Sequence, residues 1–349
     1  MAVVGEIGQI ERDFLDRFVR HERSATGGAP SVLDATFESR YFSSLIRFTI
    51  QDGRRVTSHI AKFPKAVMRR GYSAMPQRTP DDIRVARQEY DSLLELGKTW
   101  IGKSSSYMQP TFFDSEVGGF VLNDVVGADL VHGADRDVAQ ASTSLGADLA
   151  AYHASSIQSR DIDTAQVLEK TLLLKTELET RAEARFPESF QNAVSLAAGR
   201  SAGSAALVRA IKGFEIRNAR LATSGRIWLF DPGKLKMEPA EADIARFVTS
   251  CRMVRWNRVG FIWRTGSEEA ERAFMNSYQI HRPINHILLA LLTTREILKN
   301  WLAGIRAAEL KALPRWLEKG VRVVYVNRGF GRVMDRHLRS LTQLVSQTR

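Results

Sequence analysis

The stretch that decides the fold reads Gly213-Phe214-Glu215-Ile216-Arg217-Asn218, then a short hairpin, then Ile227-Trp228-Leu229-Phe230-Asp231-Pro232-Gly233. An amide oxygen and a carboxylate at the two ends of a hairpin can converge on one point. Hard cations such as Mg²⁺ take oxygen ligands and keep part of their water shell. One amide and one carboxylate therefore suit a metal that arrives with a nucleotide better than a metal held for its own sake. Asx residues also cap turns, and Asp before Pro-Gly is a turn former in its own right. The strand Ile227 to Phe230 delivers Asp231 at its end under either reading.

The segment resembles the catalytic and metal-binding segments of the aminoglycoside phosphotransferase and choline kinase-like group, distant relatives of the protein kinases. That group carries His-Gly-Asp-Phe-x-x-x-Asn, then Asp-x-Gly at the end of a strand. Phe214, Asn218, Asp231 and Gly233 match, whereas Ile211, Lys212 and Gly213 occupy the His-Gly-Asp places and do not. The resemblance implies an α+β, bilobal protein kinase-like fold: a small strand-rich N-terminal lobe (1–122), a hinge (123–130) and a larger, mainly helical C-terminal lobe (131–349). It implies ATP and Mg²⁺ as cofactors, with Asn218 and Asp231 as metal ligands. The implied activity is phosphoryl transfer to a hydroxyl of a small molecule or sugar. In that reaction the aspartate accepts the proton of the attacking hydroxyl, and Gly213 has no side chain to do so. Glu215 is the candidate replacement base, although an acid there is more commonly solvent-exposed. Much of phosphoryl transfer is positioning and electrostatic clamping, so loss of the base lowers activity without having to abolish it. The alternative is a catalytically degraded pseudokinase that binds nucleotide or a partner and regulates.

Upstream, Tyr41 to Ile50 and Arg54 to Phe63 read as strands around the hairpin turn Gln51-Asp52-Gly53. A polar loop with Gly71, Pro76 and Pro80 follows. Thr79 can cap the next helix, Pro80 suits its first position, Asp81 and Asp82 suit its positive end, and Gly97 can close it. Within that helix Ala86, Glu89 and Leu93 share a face, and a carboxylate on an apolar stripe calls for a cation. Lys62, near the end of the preceding strand, is the cation expected, with Ile60 on its face two residues earlier. By the resemblance Lys62 touches the nucleotide phosphates, Glu89 holds it in place, and Ile60 covers the adenine. Lys65 is the rival lysine, and a lysine at a strand end can simply snorkel. Asn123 and Val125 take the hinge position, where main-chain groups meet the adenine edge. The phosphate-covering loop falls on Glu38-Ser39-Arg40-Tyr41-Phe42-Ser43-Ser44, which has no glycine to ease backbone approach. Its serines and Arg40 could partly serve, or the segment is a plain hairpin turn.

Beyond residue 130 the chain reads as helices at Asp137 to Ala154, Asp163 to Arg185 and Ser189 to Gly203. They resume after the polar hairpin at Ala240 to Trp256, Ser267 to Tyr278 and Pro283 to Leu302. Val321 to Tyr325 alternates, and a basic helix ends the chain. Asp243, in Ala242-Asp243-Ile244-Ala245-Arg246, resembles the Asp-Leu-Ala-Arg segment of the same group, where the implied role is structural, tying the helix start to the catalytic-type loop.

A chain of 349 residues can hold two lobes. Its net charge of +11 favours anionic partners. The basic stretches, among them Arg315-Trp316-Leu317-Glu318-Lys319, come without a zinc-finger, RNA-binding aromatic or basic-zipper pattern, which argues against nucleic acid. The apolar stripe from Ile284 to Ile305 would suit peripheral membrane contact, though packing inside the helical lobe explains it more simply. Cys251 is the only cysteine, so an intramolecular disulfide is excluded. Met1 to Phe14 lacks a basic segment leading into an apolar run, and a cytoplasmic location is the expectation.

Overall fold

The computed structural model describes residues 3–5, 7–68, 77–133, 135–257, 266–310 and 319–347. Gly71 and Pro76 of the polar loop, and residues 315–318 of the basic stretch, lie outside them. Two compact units are present: Met1–Trp100, Ser106–Gly127 and Ala222–Lys234 form the first, and Ile101–Ser105, Ala128–Leu221 and Leu235–Arg349 the second. The α+β class is the one observed, strand-rich at the N-terminal end and mainly helical afterwards.

The first elements are β1 (Val3–Gly5), α1 (Gln9–Thr26), β2 (Ser31–Ser39), β3 (Ser43–Asp52), β4 (Arg55–Pro64), α2 (Pro80–Thr99), β5 (Ser105–Tyr107), β6 (Pro110–Asp114), β7 (Gly119–Asn123) and β8 (Gly127–Asp129). Next come α3 (Asp135–Ser155), β9 (Gln158–Ile162), α4 (Thr164–Ala182), α5 (Ser189–Arg200), β10 (Gly203–Ile211), β11 (Ala219–Ala222), β12 (Ile227–Leu229) and β13 (Leu235–Pro239). The chain ends with α6 (Glu241–Asn257), α7 (Gly266–His281), α8 (His286–Glu309) and α9 (Arg328–Gln347).

In the first unit a six-stranded antiparallel sheet runs β1-β2-β3-β4-β7-β6. The aromatic residues of α1, spaced one helical turn apart, cover one face of it. Phe14 and Phe18 are fully buried with Phe37, Ile46, Phe48, Phe63 and Val121, and Phe14 meets Phe63 edge-on at 4.8 Å. Each such side chain contributes about 1.5–3 kcal/mol by leaving water. Strand β2 was not expected. Its Ser-Val-Leu-Asp-Ala-Thr-Phe-Glu-Ser alternates poorly, and the pairing with β3 slips between Val32 and Asp34. Helix α2 begins as the sequence predicts: Thr79 accepts from Asp82 N, and the Asp82 side chain accepts from Thr79 N. Gly97 does not close it. The helix runs on to Thr99, and a Cβ at Gly97 would fall 2.0 Å from Gln109 Oε1. That amide is itself anchored, Nε2 donating to the Leu93 and Tyr107 carbonyls, so the glycine makes room for it.

The second unit combines helices α3 to α9 with a three-stranded antiparallel sheet, β13-β10-β9, against which α3 and α6 pack. Helix α5 stops at Arg200 instead of continuing to Gly203, and the residues after it form β10. Helix α3 approaches α7 so closely that a Cβ on Gly146 would lie 2.4 Å from the Phe274 carbonyl. The stripe expected from Ile284 to Ile305 is core: Leu288, Leu291, Leu292, Ile297, Leu298, Trp301 and Ile305 of α8 are all buried. Among the described residues no helix is long and apolar enough to cross a membrane. The alternation at Val321 to Tyr325 is not a strand. Val321–Asn327 winds as a π-helix straight into α9.

Candidate functional site

Lys62 is fixed by its strand. On β4 it faces Leu45 of β3 and Phe120 of β7, which leaves its side chain nearly covered. Its ammonium donates to Glu89 Oε1 at 2.6 Å, and Asp231 Oδ1 lies 2.9 Å away. Glu89 is brought there by α2, on the stripe with Ala86 and Leu93, all three buried. Burial pushes the Glu89 carboxyl up to about 7, with the Asp231 charge adding to the shift and Lys62 opposing it. Burial works against the Lys62 charge, but Asp231 and Glu89 together raise its pKa. A cation between two carboxylates is thus stabilised as a cation.

Asp231 stands in the left-handed region at φ 57°, which among the described non-glycine residues only it and Glu183 adopt. Asp and Asn tolerate that conformation better than most residues. Its side chain is 45% exposed, so it reaches Lys62 while keeping one edge open.

Lys65, the rival, does not meet Glu89. It is buried, with Nζ donating to the Arg40 carbonyl at 2.7 Å and to Ser39 Oγ at 3.3 Å. The Lys65 amide donates to the Phe42 carbonyl at 2.8 Å, and Arg40 N donates to Ser43 O at 2.8 Å. The glycine-free segment is therefore a tight turn whose Arg40 amide is used internally. Asn123 and Val125 lie towards the other end of the β4–β7 pairing. Lys62 faces Phe120, His59 faces Asn123, and Asp124 N donates to the Ser58 carbonyl at 2.9 Å.

The second unit contains the loop Gly213 to Asn218. Asn218 Nδ2 donates to the Gly213 carbonyl at 2.9 Å, and Asn218 N to the Glu215 carbonyl at 2.9 Å. With Nδ2 turned into the loop, Oδ1 is the atom of Asn218 with the chemistry a hard cation needs. Glu215 does not stand as an independent acid: its Oε2 is ion-paired to Arg217. Gly213 takes no positive φ, so the absence of a side chain there is not imposed by the backbone.

Helix α6 holds this loop from behind. Both Asp243 oxygens accept from Ile211 N at 2.9 Å, and Ser250 Oγ accepts from Ile216 N at 3.0 Å. Phe214 is buried against both Phe247 and Phe274, which stack on each other at 4.0 Å. Asp243 is fully buried and also meets Arg246 Nη1 at 2.5 Å and His153 Nε2 at 3.1 Å, while His153 Nδ1 shares a 2.9 Å hydrogen bond with the Tyr278 hydroxyl. Sequence reading found the Asp243 tie but missed His153, Tyr278 and Ser250. They come from three different helices, and only Arg246, one turn from Asp243, carried a signal in its spacing.

No family model matches the chain, and no curated protein matches it in sequence. Solved structures match it in fold. The choline kinase LicA from Streptococcus pneumoniae, also seen in complex with AMP, has 15% identity and a TM-score of 0.53, covering 91% of this chain and 99% of that one. A thermostable mutant of aminoglycoside phosphotransferase APH(4)-Ia has 11% identity and a TM-score of 0.55, with 92% and 98% covered. A choline/ethanolamine kinase family protein from Mesorhizobium loti has 13% identity and a TM-score of 0.53, with 95% and 99% covered.

Proposed function

We propose that this chain, which has the kinase-like fold of the choline kinases and aminoglycoside phosphotransferases, binds ATP with Mg²⁺ and transfers phosphate to a hydroxyl of a small molecule or sugar. The observation that carries the reading is Lys62, held as a cation by Glu89 at 2.6 Å and Asp231 at 2.9 Å. Lys62 is the residue to meet the nucleotide phosphates, Glu89 the residue that keeps it in place, and Asn123 and Val125 offer main-chain groups to the base. Asp231 offers a carboxylate and Asn218 an amide oxygen, the ligand types that Mg²⁺ takes. Among the described residues no group of three His, Cys, Asp or Glu side chains could hold a metal ion; a nucleotide's phosphates would have to supply further oxygen ligands. When bound, the metal neutralises charge on the phosphates.

A second reading is favoured by Gly213 and by the Glu215–Arg217 pair. With no side chain at the base position, and the nearest acid ion-paired, the protein would bind nucleotide and regulate without transferring phosphate.

Calorimetry and thermal shift with ATP, with and without Mg²⁺, test the shared part. Saturating Mg²⁺-ATP is expected to raise Tm through linkage, and Lys62→Met to remove the rise. No heat and no shift would sink both readings. Turnover against a panel of hydroxyl acceptors then separates them, since Mg²⁺-dependent binding without turnover selects the regulatory one.

A further inference from the structure

Arg295 lies on α8 with its side chain only 11% exposed. A guanidinium carries five donors and stays charged in a protein, so a covered one needs acceptors. Among the described residues its partner is Glu296 Oε1, 3.4 Å from Nη2, and its Nε is buried with none. The neighbouring carboxylates are held more closely by other cations. Glu296 Oε1 accepts from Lys299 Nζ at 2.7 Å, and Glu238 on β13 is ion-paired to Arg246. Arg295 and Lys299 nonetheless act on Glu238: with Arg246 they hold its carboxyl below the usual range, although burial opposes this. Three cations and the carboxylates of Glu238, Asp243 and Glu296 thus gather in one region of β13, α6 and α8. Lys299, 44% exposed, opens that region to solvent.

The geometry points to an anion site here: Arg295, with Lys299 at the mouth, binds the phosphate or carboxylate group of a small ligand. The planar fork of an arginine matches two oxygens of such a group, which a point cation does not. A water could accept from Nε without charge, whereas an anion would also meet the charge of Arg295, whose partner Glu296 is shared with Lys299. Lys299 reflects that crowding: burial lowers its pKa, and Arg295 and Arg246 add to the shift against the pull of Glu296. The site also has a route to the loop. Arg246 donates to the Ile211 carbonyl at 3.4 Å and pairs with Asp243, which accepts from Ile211 N. The net charge of +11 agrees with an anionic ligand. None of this depends on the kinase reading.

The probes are inorganic phosphate and malonate, added to the full chain with ionic strength matched by sodium chloride. At least one of them is expected to give a saturable rise in Tm beyond that of chloride, and which one does so distinguishes a phosphate from a carboxylate ligand. Arg295→Met should remove the rise. Lys62→Met should leave it, which separates this site from the proposed nucleotide site. A rise that survives Arg295→Met, a rise lost in Lys62→Met, or no rise from either probe overturns the proposal. Should a variant fail to fold, wild-type crystals soaked in selenate decide. Selenium within hydrogen-bond reach of the Arg295 guanidinium upholds the site, and water alone there overturns it.

Discussion

The surroundings of Lys62 and the loop Gly213–Asn218 are built to different ends. Lys62 is held through its side chain, by two carboxylates on separate elements. The loop is held through its backbone, by Asp243 and Ser250 on α6, and at Gly213 it offers no side chain at all. The bracing of such a loop is therefore separable from its chemistry. At Gly213 the chain carries no functional group although the loop around it is fully braced.

The largest test of that separation is Gly213→Asp. If only the functional group is missing, restoring a proton acceptor should raise turnover by about 10²–10⁴-fold, the usual worth of general-base participation. Steady-state rates against hydroxyl acceptors read it, and a loop that has drifted from a working shape would show no gain. Next comes Asp243→Ala. It takes one buried partner from Arg246 and His153 and leaves the Ile211 amide without its acceptor, and should cost about 3–5 kcal/mol in urea unfolding. A loss below about 1 kcal/mol would mean the loop is braced by something else.

A smaller effect concerns pH. The folded-state carboxyl of Glu89 lies near 7, above its ordinary 4.5, so the native state holds a proton that the unfolded chain has released. Its contribution to stability is full below about pH 4.5 and is lost as the pH rises towards 7. Glu89→Gln should flatten that part of the stability–pH curve, and parallel curves for the two proteins would refute the assignment. Smallest is Glu215→Gln. A carboxylate paired with a half-exposed arginine is worth about 0–1 kcal/mol, so stability and the Mg²⁺-ATP shift should hardly move. A turnover that disappears with this change would instead make Glu215 the base.

These contrasts mirror what could be read from the sequence. The capped start of α2, the β3–β4 hairpin and the Lys62–Glu89 pair were legible because each rests on local chemistry: a Thr-Pro-Asp-Asp start, an Asp-Gly turn, a carboxylate on an apolar stripe. Strand β10 was not, because Ala205-Ala206-Leu207-Val208 favours a helix by local propensity and only pairing with β9 and β13 makes it extended. The π-helix at Val321–Asn327 defeated an alternating pattern in the same way. His153 and Tyr278 escaped because nothing in a linear pattern joins residues on α3 and α7 to an aspartate on α6. Lys65 was weighed only as a rival for Glu89, whereas its carbonyl partner, Arg40, lies on a turn whose shape no local signal gave.

That turn has a consequence for motion. The loops that fold over ligands in many enzymes are mobile when empty, and their opening often limits product release. The tip of the β2–β3 hairpin is tied down by the buried ammonium of Lys65 and by its own Arg40–Ser43 bond. Such ties favour a single shape for the tip without help from a ligand. A ligand lodged against it would meet no ordering penalty on arrival and no gate on departure. Slow amide hydrogen exchange at Arg40 and Lys65 in the ligand-free protein, unchanged by saturating ligand, would be the signature of a wall where a flap is usual.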